Sequence, residues 1–172
     1  MMKKICLSLL FCAVSVLMAN AQKFALIDME YILENIPAYQ QASNELNMLS
    51  QQYQKAIEAK AKEAESLYQA YQKSAASMSA TQRTQKEEAI IAKEREAAEL
   101  RQKYFGPEGE LAKREETLIA PIQNRIYEVV KQISTQKGLD VVVDRASATS
   151  IIFATPRLDI SNDVLAKMGY SK

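Results

Sequence analysis

The chain contains no histidine and no tryptophan, and its only two cysteines, Cys6 and Cys12, lie close to the N-terminus. A His-based catalytic triad, a histidine metal centre and a disulfide framework are therefore excluded. Four glycines and four prolines in 172 residues are too few for a collagen-like or Pro/Gly-rich disordered chain. Neither sign of charge prevails, with 22 Lys+Arg against 21 Asp+Glu. That balance argues against a nucleic-acid binder, which carries a basic excess. No glycine-rich phosphate loop is present. The length suits one ordinary domain.

Long apolar runs are equally scarce; there is one. Lys3 and Lys4 precede an apolar stretch from Ile5 to Met18, and Ala19-Asn20-Ala21 supplies a small-x-small cleavage site. This is the layout of a secretory signal peptide, residues 1–21, cleaved after Ala21. The run falls short of the roughly 20 residues that span a bilayer. Alternatives are an uncleaved N-terminal anchor, or a lipid on Cys12, although bulky Phe11 stands where such sites take a small residue. Cleavage leaves 151 residues, no cysteine and a formal charge of −1. A cysteine-free exported chain suits the periplasm and is expected to be soluble there.

What the sequence has in abundance is helix formers. Residues 38–105 hold neither glycine nor proline and are rich in Ala, Glu, Gln, Lys and Leu. A small polar run at 74–81 interrupts them, and Ser79 with Gln82 resembles a capping box. Two long helices joined near residues 75–80 as an antiparallel hairpin are expected, forming an arm over 37–105. A stripe from Tyr39, Ala42, Leu46, Leu49 and Tyr53 on to Met78 recurs at spacings of three and four, the pattern of a coiled-coil seam. The mixed charges of KEEAIIAKEREAAELR fit a solvated helix face.

Composition then shifts. Leu, Ile, Val, Met and Phe account for 10 of the 68 residues from 38 to 105, but for 20 of 67 after that and 7 of 15 from 22 to 36. The core is thus expected from the two ends, a head of residues 22–36 and 106–172. Three short strands are expected there: Lys23–Asp28, Leu139–Asp144 and Ser150–Thr155, the last two forming a hairpin through 145–149. Between arm and strands, 111–137 reads as helix, with Pro121 kinking it or starting a new one. Leu118, Ile122, Ile126, Val129 and Ile133 would face the core. Gly138 would cap this helix. A last helix would follow Asp159, capped near Ser161 or Asn162 and anchored by Val164, Leu165 and Met168. The fold class is α+β, predominantly α. Three strands leave exposed sheet edges, which oligomerisation would cover. The pairs Asp140/Asp144 and Asp159/Asp163 read as strand-end and cap acids, so no enzyme activity, metal or other cofactor is expected.

The C-terminal third, LIAPIQNRIYEVVKQISTQKGLDVVVDRASATSIIFATPRLDISNDVLAKMG, and Phe24-Ala-Leu-Ile-Asp28 together resemble the Skp/OmpH family of periplasmic chaperones. The resemblance covers essentially the whole chain after the leader. It implies a homotrimer with a shared β-barrel head, from which helical hairpins hang around an open cavity. It also implies ATP-independent holding of unfolded outer-membrane proteins. Strongly basic arms are usual in that family; residues 38–120 here carry 12 basic and 13 acidic groups. No lipopolysaccharide site is carried over.

A holdase needs many weak apolar contacts rather than one pocket, and several arms turn weak contacts into avidity. The arm offers Tyr53, Ile57, Tyr68, Tyr71, Met78, Ile90 and Ile91 as client contacts, or as packing between its own two helices. Met78, at the tip, is expected to be the most exposed. Gly106, Pro107 and Gly109 form either a hinge that lets the arms splay or a turn that re-aims the helix. The rival reading is an exported coiled-coil spacer or adaptor of the cell envelope, which accounts for the arm but not for the strand-bearing ends.

Overall fold

A computed structural model describes residues 23–148 and 150–170. The expected leader, with Cys6 and Cys12, lies outside them. The elements are β1 (Phe24–Ile27), α1 (Met29–Glu34), α2 (Pro37–Ser74), α3 (Ala80–Phe105), α4 (Glu110–Lys137), β2 (Val141–Asp144) and α5 (Ser161–Met168). No described helix is long and apolar enough to cross a membrane. The chain divides into two compact units, Leu33–Arg125 and the remainder.

In the unit Leu33–Arg125, α2 starts with Pro37 at a position where its missing N–H is no loss. It runs 38 residues, about 57 Å. A short 3₁₀ turn, Ala75–Ser77, ends it. The Ser79 hydroxyl then accepts from the Gln82 N–H at 3.3 Å, while the Gln82 carboxamide accepts from the Ser79 N–H at 2.9 Å. This is the expected capping box, and it starts α3. The two helices run antiparallel: Lys60 meets Glu96, Glu63 meets Lys93 and Tyr53 meets Tyr104. Ala42, Ile57, Ala64 and Ile90 are buried, so the seam combines large and very small side chains. The first turns of α4 continue the same register, with Arg114 donating to Glu45 of α2 at 2.7 Å.

Of the two outcomes expected at Pro121, a kink or a new helix, the second is not found: α4 is continuous through it. The ring is exposed, so water reaches the carbonyl one turn back that lacks its usual N–H partner.

The other unit comprises residues 23–32 and 126–170. β1 pairs in parallel with β2, Phe24 opposite Val141 through Ile27 opposite Asp144. On the other edge of β1, the Ile160 N–H donates to the Leu26 carbonyl at 2.9 Å. Ala25, Leu26, Ile27, Ile32, Ile160, Val164 and Leu165 are buried, as are Ile126, Val129 and Ile133 at helical spacing on α4. Each such Ile or Leu contributes about 1.5–3 kcal/mol. Leu118, Ile122 and Met168 are only half-buried. Gly138 closes α4 at φ +62°, with the Leu139 N–H on the Ser134 carbonyl at 2.9 Å, the left-handed cap expected of it.

Two strand expectations are corrected. Residues 151–155 make no ladder among the described residues, and β2 has β1 rather than a following strand as its partner. The chain after β2 turns back on itself, the Ala148 N–H reaching the Asp144 carbonyl at 3.1 Å. That turn leads the apolar stretch away from β2, leaving Ile152 at 99% and Phe153 at 82% exposure.

The four aspartates singled out in the sequence are fasteners. Asp140 accepts from the Lys23 N–H at 2.9 Å. Asp144 accepts from the N–H groups of Met29 and Ala146, both at 3.1 Å, and from the Ser147 hydroxyl at 2.8 Å. Burial pushes its carboxyl up, but the Met29 N–H, the Ser147 hydroxyl and the Ala146 N–H outweigh burial and hold it below the usual range. Asp159 accepts from the N–H of Ser161 at 2.9 Å and from its hydroxyl at 2.6 Å, so the acid before α5 does the capping expected of Ser161 or Asn162. Asp163 pairs with Lys137.

Candidate functional site

The long hairpin sorts the expected contact residues into three groups. Ile57 and Ile90 are 3% and 7% exposed and belong to the seam. Ile90 and Ile91 are adjacent on α3, a turn of about 100° apart, so only one can face α2. Ile91 is the one left out, at 61% exposure. Tyr68 is exposed as well, and Met78 at the tip is half-buried rather than the barest residue.

The second group is aromatic. Tyr53 stacks on Tyr104 with ring centroids 4.0 Å apart and planes within 4°, and Phe105 meets it edge-on at 6.3 Å. Lys103 lies 5.4 Å from the Tyr104 ring centre and pairs with Glu110 at 3.3 Å. Desolvation, then a hydrogen bond to Glu110, raises the Tyr53 hydroxyl above its ordinary pKa. Glu110 holds the Lys103 ammonium above its own. Tyr53 thus joins α2, α3 and the first residue of α4. Tyr71 donates to Glu87 across the hairpin, and that bond raises its pKa.

The third group is the turn beside that cluster. The Gly106 N–H donates to Gln102 at 2.9 Å and the Gly109 N–H to Gly106 at 2.8 Å. Neither glycine has positive φ. A Cβ at Gly106 would lie 2.4 Å from the Gln102 carbonyl oxygen, and one at Gly109 would lie 2.8 Å from that of Tyr104. These glycines permit close backbone approach, while Pro107 sits exposed at the bend.

Midway along the hairpin, Lys60, Glu63, Lys93 and Glu96 form a closed ring of alternating charge, every contact between 3.0 and 3.3 Å. Lys93, then Lys60, holds both carboxyls below their ordinary range, and Glu96, then Glu63, holds Lys93 above its own. The balanced charge of the arm is therefore partly used in cross-bracing its two helices.

Residues 23–168 match the family model described as Outer membrane protein (OmpH-like). The chain belongs to this OmpH-like family. It is similar to the Chaperone protein Skp of Yersinia enterocolitica, 25% identical over 149 residues that cover 87% of each chain. Its fold is similar to the crystal structure of a candidate outer membrane chaperone (OmpH-like) from Caulobacter crescentus, with a TM-score of 0.63 at 14% identity. That match covers 86% of this chain and 83% of the other.

Several exposed apolar side chains of the OmpH-like chain escape the sequence pattern. Met48 (65%) lies beside the stripe rather than on it, and Phe105 (38%) flanks the tyrosine stack. Phe24, Val141 and Tyr127 are more than half exposed in the strand-bearing unit. Alternation gave no warning of Phe24 and Val141: Leu26, on the same strand face as Phe24, is buried, and the two exposed residues are simply opposite each other at the start of the ladder.

Proposed function

We propose that this OmpH-like protein is an ATP-independent holdase of the periplasm. It binds unfolded outer-membrane β-barrel proteins between helical arms and prevents their aggregation. The observation that carries this reading is the family match over residues 23–168, together with a relative named as a chaperone over 87% of its length. The exposed apolar groups along the hairpin, Met48, Tyr68 and Ile91, suit weak and repeated contact with greasy segments. Met78, half-buried at the hairpin tip, adds adaptable contact area.

The active form in this reading is a homotrimer whose strand-bearing units share one β-barrel head. The outer edge of β2 is unpaired among the described residues, and Ile152 and Phe153 are almost bare. Unpaired edges and bare apolar pairs favour association. The leader is removed after Ala21 on export. Three arms that each bind weakly retain a client through multivalency and release it without fuel. The charge ring and tyrosine stack keep each hairpin intact while its outer surface exchanges contacts. Any splaying at Gly106, Pro107 and Gly109 deforms a packed turn and so has a cost.

The test is light scattering from a urea-unfolded outer-membrane β-barrel protein diluted into buffer without nucleotide. Near-stoichiometric trimer should suppress aggregation, and the solution mass of the processed protein should be three chains. No suppression, as for an envelope spacer or adaptor, overturns the chaperone reading; a monomer overturns the trimer.

A further inference from the structure

On one face of the hairpin, α2 and α3 leave an open cleft of about 410 Å³. Its floor is Ile57 with Ala61, Ala64, Ala97 and Ala98. Its walls are unequal. The antiparallel register, with Glu63 against Lys93 and Lys60 against Glu96, puts Arg101 at the Ile57 end, Glu94 midway, and Glu65 and Tyr68 towards the other end. Glu94 and Arg101 have no ion-pair or hydrogen-bond partner among the described residues, and Glu65 is met only by the Gln69 amide at 2.8 Å. Elsewhere on the hairpin, Lys60, Glu63, Lys93, Glu96, Arg95 and Glu99 all find partners. Other charges of the hairpin, Lys55, Lys62 and Lys73 among them, have no partner among the described residues either; what marks the cleft is two carboxylates against one guanidinium, none of them held by an opposite charge.

We propose that this cleft is a docking site for an extended segment of unfolded chain with an apolar centre and a basic residue at one end. The inference rests on the holdase reading and gives it a recognition rule. From Ile57 to Tyr68 the helix rises about 16 Å. About five residues of extended chain span that length. The alanines leave room for an aromatic or branched side chain. Two carboxylates attract a lysine or arginine, and the exposed Tyr68 ring offers it a cation–π face. Arg101 repels a basic residue at the far end, so the segment's direction is fixed. The rule is that this cleft selects cationic-apolar stretches.

Ala61 and Ala98 are exposed, so a bulky group at Ala98 fills the cleft without entering the seam. The probe is a fluorescently labelled peptide with a Phe-Leu-Phe centre and two lysines at one end, set against its twin with glutamates. The processed full-length protein should bind the lysine peptide at least threefold more tightly, and added salt should narrow the gap. Ala98→Trp should weaken that peptide about tenfold with ellipticity and mass unchanged, and Glu94→Lys should reverse the order of the two peptides. Unchanged binding in Ala98→Trp overturns the proposal. So does a fall in mass, which would make the occupant a second copy of the chain. If wild type suppresses barrel aggregation but does not distinguish the peptides, the cleft fails and the holdase stands. If it distinguishes the peptides but suppresses nothing, the holdase reading fails and the cleft stands.

Discussion

Ile90 and Ile91 are neighbours in sequence with opposite surroundings, so truncating each should separate stability from binding. Ile90 is 7% exposed. Ile90→Ala removes three buried carbons, about 2.4 kcal/mol at roughly 0.8 kcal/mol each. A cavity adds to this, but a two-helix seam collapses easily, so the total should stay near the low end of the about 2–5 kcal/mol range. A loss of about 2 kcal/mol in local opening is roughly thirtyfold faster amide exchange for the facing stretches of α2 and α3. Ile91 is 61% exposed, and Ile91→Ala should change stability by less than about 0.5 kcal/mol, within about threefold in exchange. In the light-scattering assay the order reverses: Ile91→Ala should suppress aggregation less well at equal concentration, by loss of a contact. Hydrogen exchange by mass spectrometry on both variants gives the comparison. Equal acceleration in the two, or intact client protection in Ile91→Ala, would refute the division into seam and surface.

Two further outcomes follow from the ionic ring and the glycine turn. Glu63 and Glu96 have folded-state pKa values below 4.5, and Asp144 below 3.8, so the stability they add is complete above those values and drains as pH falls through the lower folded ones. Lys93, raised above 10.5, contributes fully below that value and loses its share only as pH rises past it. Melting followed by ellipticity should fall as pH drops below the ordinary carboxylate range, and Glu63→Gln with Glu96→Gln should flatten that limb; an unaltered limb contradicts the ring. Gly106→Ala should lower the melting temperature, since its Cβ meets the Gln102 carbonyl oxygen at 2.4 Å, with a cost of about 1–3 kcal/mol. If Gly106 served only as a loose hinge, the same change would leave stability unaltered or raise it by restricting the unfolded chain.

Much of the fold was legible because its signals are local. The glycine- and proline-free run, the Ser79–Gln82 box and the left-handed Gly138 each depend on a few neighbouring residues, and each appears where the sequence puts it. Strand pairing was not legible. The ladder joins Phe24 to Val141 across the whole helical region, and no short-range rule distinguishes that parallel partner from a nearby hairpin. Residues 151–155 have the composition of a strand, yet the turn after Asp144 carries them off β2. Strand propensity records a fit to a pleated neighbour rather than a property of the backbone alone.

The contact residues were half legible for a reason that also bears on how the hairpin works. A stripe at spacings of three and four is the row a partner helix covers, but the successive fours from Leu49 through Tyr53 and Ile57 to Ala61 turn it by about 40° a step, so part of it leaves the seam. Where the covered row is alanine, as at Ala42 and Ala64, little apolar surface is hidden per turn. Larger residues at the stripe's margin then remain in solvent, as Tyr68 does at 45%. A leucine seam would bury more and hold the helices further apart. An alanine seam gives up that stability, and cross-braces return part of it: the charge ring at Lys60–Glu96 and the Tyr53–Tyr104 stack. Their polar and aromatic contacts hold the helices together without enclosing the margins. The same economy that makes the arm a weak core leaves it with apolar surface to offer.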